Sequence, residues 1–253
     1  MNILTGAITT AFSILLASSG SSDTIVIAAD EWCPYNCEPG SNNPGFMIEV
    51  AREALEPYGH EIEYKTLNWA RSLHQAKIGD INGVVGAVVD EAPNFVFGPA
   101  IGTYHDTVTF RKGEGFDPDE MMEHPNLRLG AINGYEYYGA VNDFIEGHQD
   151  DRQRVQFVSG EDALEKNIRK LIAGRIDAIA EVRSVMDYNL ALFDLTTSVE
   201  IREIDEENDI FIAFSPSLSE SQIYADQLSE GVELLKSTGR YAEIFAKYGV
   251  EPK

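Results

Sequence analysis

Gly79-Asp80-Ile81-Asn82-Gly83-Val84 and Gly174-Arg175-Ile176-Asp177-Ala178-Ile179 follow one six-residue design, about 95 residues apart. Each closes a helix-patterned segment at a glycine and opens an apolar, strand-patterned one. Six residues make a weak repeat alone, but the matching context on both sides strengthens it and predicts two lobes of like design.

Working outward, Thr24 to Ala29 reads as a buried strand, and the turn-rich stretch from Pro34 to Gly45 as a loop. Met47, Val50, Ala51, Ala54, Leu55 and Tyr58 form one face of a helix that Gly59 stops. Glu61 to Thr66 alternates as a strand, Trp69 to Ile78 reads as a helix, and Ile81 to Val89 as a strand. The order then recurs. Leu127, Leu129 and Ala131 mark a strand; Tyr137, Val141, Phe144 and Ile145 a helix; Val155 to Val158 a strand. Leu164, Ile168, Leu171 and Ile172 mark a helix before the strand Ile176 to Ala180. Such βαβα order predicts an α/β fold with mostly parallel sheets. Thr107–Phe110 and Asp209–Phe214 are read as the two crossings between lobes. The first lobe is then discontinuous, 23–108 plus 213–253, and the second spans 109–212. The tail is helical, with Tyr241, Ile244, Phe245 and Tyr248 as core.

The chain has 253 residues, 43% of them hydrophobic, and can bury a core. With 19 Lys+Arg against 42 Asp+Glu, its net charge of -23 argues against nucleic-acid binding, which needs basic side chains, and against an anionic membrane surface. Residues 1–22 contain no charged side chain, and Ala7 to Ala17 is an apolar run too short to span a bilayer. This predicts a secretory leader cleaved near Ser19 and a periplasmic protein, although the leader's start lacks the usual Lys or Arg. In an oxidising compartment Cys33 and Cys37 of WCPYNC can form a small structural disulfide; two free thiols are the alternative. The five histidines are scattered without ligand spacing, so neither a metal nor a cofactor is expected.

These motifs together resemble bacterial periplasmic solute-binding proteins of family 3, the polar amino-acid ABC transporter type with the type II fold. The strand Thr24–Asp30 leads to Trp32, Pro34 and Tyr35, then to Gly45-Phe46-Met47-Ile48-Glu49-Val50. Leu73–Gly83, Gly130–Gly134, Leu171–Ala178 and Gly239-Arg240-Tyr241 through Tyr248 follow in order, covering residues 24–250. The resemblance implies two α/β lobes, two hinge crossings and a ligand cleft between them. It also implies an Arg before the first crossing that grips an α-carboxylate, yet residues 90–97 hold no Arg or Lys. The Asp that receives the α-ammonium falls, by spacing, on Val182, with Glu181 beside it. A standard α-amino acid is therefore not the expected ligand.

Candidate ligand residues cluster at strand ends, where open α/β sheets bind ligands. Trp32 and Tyr35 read as an aromatic cleft wall or as packing on the Cys33–Cys37 turn. Trp69 and Arg71 open a helix on the same side, and Arg71 could grip an acid or pair with a surface carboxylate. Tyr135 and Glu136 lie at a helix entry, Glu136 either touching ligand or capping that helix. Glu181 and Arg183 follow a second-lobe strand; Tyr104 and His105 flank the first crossing; Glu91 falls in the stretch where the family carries its Arg. If Trp32, Tyr35 and Tyr135 converge with Glu91 or Glu181, a cation fits. If Arg71 and Arg183 point inward, a carboxylate or sugar acid fits.

The preferred reading is a monomeric, non-enzymatic binding protein that delivers a small polar ligand to an ABC-type permease. A sensor module for a membrane receptor is the alternative. A dehydratase-like enzyme on the same scaffold would need an acid/base pair from Glu136, Glu181 and His105.

Overall fold

A computed structural model describes residues 22–114, 120, 124–160, 162–204 and 207–252. The expected leader, except Ser22, lies outside the described residues. In the first lobe β1 (Thr24–Ala29), β2 (Glu61–Thr66) and β3 (Gly83–Ala87) run parallel. In the second, β6 (Leu129–Ile132), β7 (Val155–Val158) and β8 (Ala178–Val182) do the same. The remaining strands are β4 (Val96–Tyr104), β5 (Asp106–Arg111), β9 (Val199–Glu203) and β10 (Asn208–Phe214). The sheet orders are β2-β1-β3-β10-β4 and β7-β6-β8-β5-β9. The two have one plan. Three parallel strands are followed by an antiparallel strand arriving from the other lobe, β10 or β5, and then by the departing edge strand, β4 or β9.

The repeated hexapeptide explains itself here. The Asn82 N–H donates to Val26 O at 2.8 Å while Asn82 Oδ1 accepts from the Val26 N–H at 2.8 Å. Asp177 N–H donates to Arg128 O at 2.8 Å, and Asp177 Oδ2 accepts from Arg128 N at 3.0 Å. In each lobe one side chain thus zips the incoming strand to the start of the lobe's first strand. Asp177 also takes Arg128 at 2.6 Å and Arg111 at 3.2 Å, and these donors hold its carboxyl below the usual range against the opposing effect of burial.

Helices α1 (Phe46–Leu55), α2 (Trp69–Ile78), α6 (Ser221–Thr238) and α7 (Arg240–Lys247) cover the first sheet; α3 (Gly139–His148), α4 (Ala163–Ile172) and α5 (Arg183–Leu192) cover the second. The α1 entry depends on Gly45, whose φ is 106°. A Cβ there would lie 2.3 Å from the Tyr35 carbonyl, so only glycine lets the Trp32–Asn36 turn pack on this helix.

The crossings differ from expectation. Both β-rich runs read as crossings belong wholly to one sheet: Val108 and Phe110 lie in the second core, Ile210, Ile212 and Phe214 in the first. Alternating apolar residues are too valuable as sheet interior to serve as hinges. The chain changes sheet at His105 and again between Glu203 and Asn208. Strand β4 was not anticipated; it carries Gly98, Pro99 and Gly102, which disfavour a sheet interior, and it is an edge strand, where proline is tolerated.

Replacing Asp177 by Ala removes the carboxylate that Arg128 and Arg111 share and the backbone tie to Arg128, and should destabilise the protein by about 2–3 kcal/mol. Replacing Asn82 by Ala should cost about 1–2 kcal/mol. Urea unfolding monitored by circular dichroism measures both, and a smaller loss at Asp177 than at Asn82 contradicts the account.

Candidate functional site

Between the lobes lies a cavity with about 80 Å³ open to the centre of a water molecule. The carboxyl end of β1 presents Ala29 and Asp30 to it, and the next turn presents Trp32 and Asn36. Trp32 is fixed by its backbone bridge to Asn36 and by the Cys33–Cys37 disulfide. Behind it, Tyr35 stacks at 4.4 Å, followed by Phe46 at 5.0 Å and Phe245 at 4.5 Å. The cavity wall is thus anchored through an aromatic ladder in the first core. Trp69 enters from α2, whose start is capped by Asn68 accepting from Arg71 N at 3.0 Å. Gly86, with φ 83°, approaches the Trp32 ring and keeps the floor open.

Each lobe supplies a donor to a carboxylate of the other. Trp32 Nε1 donates to Glu181 Oε1 at 3.1 Å, and Tyr135 Oη donates to Asp30 Oδ2 at 2.7 Å. A third tie is Ser184 Oγ donating to Tyr35 Oη at 2.8 Å, while Tyr35 Oη donates to Thr103 O at 2.8 Å.

Of the residues singled out from sequence, Trp32, Trp69, Glu91, Tyr104 and Tyr135 line this cavity. Tyr35 is fully buried behind Trp32 and supports the wall without lining it. Glu181 is buried against Trp32 and lines an adjoining groove with Asp30, Glu31 and Tyr135. Arg71 and Glu136 are exposed and outside the cavity. Arg183 turns away to pair with Asp187 at 2.7 Å and Glu203 at 3.5 Å. Asp30, Asn36 and Asp106 were not anticipated. The position of Asp30, immediately after β1, is the same strand-end signal that singled out Trp32.

The electrostatics are one-sided. Asp30, Glu91 and Asp106 line the cavity, and among the described residues no Lys or Arg does. Burial, then the neighbouring Glu136, Asp106 and Asp30, push the Glu91 carboxyl from its ordinary 4.5 to about 7. Burial likewise pushes Glu181 to about 7, against the lowering effect of the Val182 N–H and the Trp32 indole. Burial raises Asp30 also, despite its bond from Tyr135. Removing water strengthens every one of these repulsions.

The folded protein therefore binds more protons than the unfolded chain between about pH 4.5 and pH 7. Stability is fullest below the lower value and falls as pH rises through the higher, by up to about 1.4 kcal/mol per pH unit for each group. Glu91→Gln and Glu181→Gln should each flatten that slope in urea unfolding between pH 4.5 and 7.5. Unchanged slopes in both variants contradict these assignments.

No protein-family model matches the chain, and no curated protein matches it. Many solved structures do match. One comes from work on glutathione import by GshT and the cystine ABC importer TcyBC of Streptococcus mutans, at TM-score 0.76 and 13% identity, over 92% of this chain and 97% of that one. A substrate-binding protein of an ABC uptake transporter from Streptococcus pneumoniae, with bound histidine, aligns at 0.73 and 17%, over 89% and 92%. A histidine kinase sensor domain similar to periplasmic binding proteins aligns at 0.70 and 20%, over 90% and 98%. The chain has the two-lobe, type II fold of the periplasmic binding proteins.

Proposed function

We propose that this chain is an exported solute-binding protein that closes its lobes on a small polar solute and delivers it to an ABC-type permease. The observation that carries the reading is the cavity at the lobe seam, spanned by the Trp32–Glu181 and Tyr135–Asp30 hydrogen bonds. Both bonds must break for the lobes to part, so access to the cavity and hinge opening are one motion. The described residues on either side of the two crossings lie side by side, Ile204 N–H donating to Asp106 O at 3.0 Å and Asn208 pairing with Tyr104, as a two-strand hinge requires. Similarity to an ABC transporter's substrate-binding protein supports the permease as partner.

The solute is not a standard α-amino acid. Val182, the position matched to the family's ammonium-receiving Asp, puts an apolar side chain on the cavity, and Glu91 occupies the stretch where the family carries its carboxylate-gripping Arg. Binding without chemistry is supported by the acid/base candidates: Glu136, Glu181 and His105 do not meet on the cavity. Likeness to the sensor domain favours, as the second reading, presentation of the closed form to a membrane receptor.

The chain has only two tryptophans, and both line the cavity, so indole fluorescence reports occupancy directly. In a screen of amines, amino acids, carboxylates and sugars, one class should change that fluorescence saturably and contract the protein in small-angle scattering. A solute at about 100 times its Kd should add about 2.7 kcal/mol of stability. Turnover of the bound compound, or binding with no contraction, overturns the reading.

A further inference from the structure

The inner cavity offers acceptors, and its donors are already engaged. The Trp32 indole N–H serves Glu181, the Tyr135 hydroxyl serves Asp30, and the Trp69 indole N–H serves Glu91. Asn36, 1% exposed and lining the cavity, donates through Nδ2 to Asp30 O at 2.6 Å and to Tyr64 Oη at 3.1 Å. Its buried Oδ1, beside Gly86, accepts from no donor among the described residues. In the adjoining groove Glu181 Oε2 is equally buried and equally unpartnered. Buried acceptors without donors are costly, and each unpartnered one marks where a ligand's N–H belongs. A carboxylate-bearing solute would instead bring further negative charge among Asp30, Glu91 and Asp106, with no basic side chain from the described residues to receive it.

We propose that this cavity takes a small organic ammonium or guanidinium carrying no carboxylate, its N–H groups shared by Asp30, Asn36, Glu91 and Asp106, its carbon skeleton against Trp32 and Trp69. The inference rests on reading the seam as a solute site and adds the chemical class. The carboxylates neutralise the charge, and the indole faces attract a cation while shedding little water from a neutral group. Burial raises the carboxyls of both Glu91 and Asp30, and for Glu91 the neighbouring carboxylates Glu136, Asp106 and Asp30 add to it, so a cation placed among them offsets a repulsion that already exists at Glu91.

Matched pairs test this on the full chain, with indole fluorescence and calorimetry. Agmatine and L-arginine share a guanidinium and differ by the carboxylate; butane-1,4-diamine and butane-1,4-diol share a skeleton and differ in charge. Agmatine should bind at least about tenfold more tightly than L-arginine, and the diamine should bind where the diol does not. Glu91→Gln should weaken agmatine by about tenfold or more while melting no lower than the parent, since it removes a buried charge. L-arginine equal to agmatine, the diol equal to the diamine, or a folded Glu91→Gln with unchanged affinity each overturns the proposal. If L-glutamine or succinate contracts the protein while both amines fail, the solute-binding reading stands and the cationic class falls. If no solute of any class is bound, both fall.

Discussion

Negative charge held in a water-poor seam is the constraint on which the rest of the structure depends. Two unit charges about 5 Å apart repel by about 3 kcal/mol at the effective dielectric of a partly buried site. Asp30, Glu91, Asp106 and Glu181 share this seam, and the described residues place no cation among them. Hydrogen-bond donors are what make it tolerable. They are supplied reciprocally: Trp32 of the first lobe to Glu181 of the second, Tyr135 of the second to Asp30 of the first. Docking the lobes and satisfying the carboxylates are therefore the same event.

Such an arrangement works only if the donors are held rigidly. Trp32 sits on a turn tied by the Cys33–Cys37 disulfide, backed by Tyr35, Phe46 and Phe245, and seated on α1 through Gly45. Opposing it, Glu181 is on a central strand whose neighbours Val182 and Val185 pack into the first lobe's core cluster. The core thus continues across the seam beside the hydrogen bonds. Apolar contact there supplies non-directional attraction, while the donor–acceptor pairs fix the register of one lobe on the other.

Much of this was legible in sequence, and the reasons are local. β2 and α2 have the predicted bounds because Gly59, Asn68 and Gly79 punctuate their periodic runs, and β7 because its apolar run lies between charged Arg154 and the Ser159-Gly160 turn. The hexapeptide repeat was legible because each lobe needs the same side-chain bond at the same place, through Asn82 and through Asp177. What stayed hidden depends on direction. Nothing in the alternation of β8 tells whether Glu181 or Val182 faces the inner cavity, and the structure gives that face to Val182. Arg71 and Arg183 follow strands as cleft residues do, but Arg71 points to solvent and Arg183 finds Asp187 one helical turn away. Asp106 follows a hinge residue that periodicity cannot locate, because the crossing is a single position, His105.

The net charge of -23 and the charge of the cavity are separate matters. Several of the surface carboxylates meet Lys or Arg across helix turns, as in Asp162–Lys166 and Glu243–Arg240, and solvent and salt screen the others within about 10 Å. The carboxylates lining the cavity meet no Lys or Arg there among the described residues; neutral donors hold them instead, Tyr135 on Asp30 and Trp69 on Glu91, and burial removes the screening. For a cationic solute the two would act at different stages. The surface field would speed encounter and fade as salt is raised, whereas the seam would govern escape, because the solute must leave desolvated acceptors and the interlobe hydrogen bonds must break for it to do so. Selectivity for such a solute would therefore lie with a few buried groups, while the acidic exterior would contribute speed without discrimination.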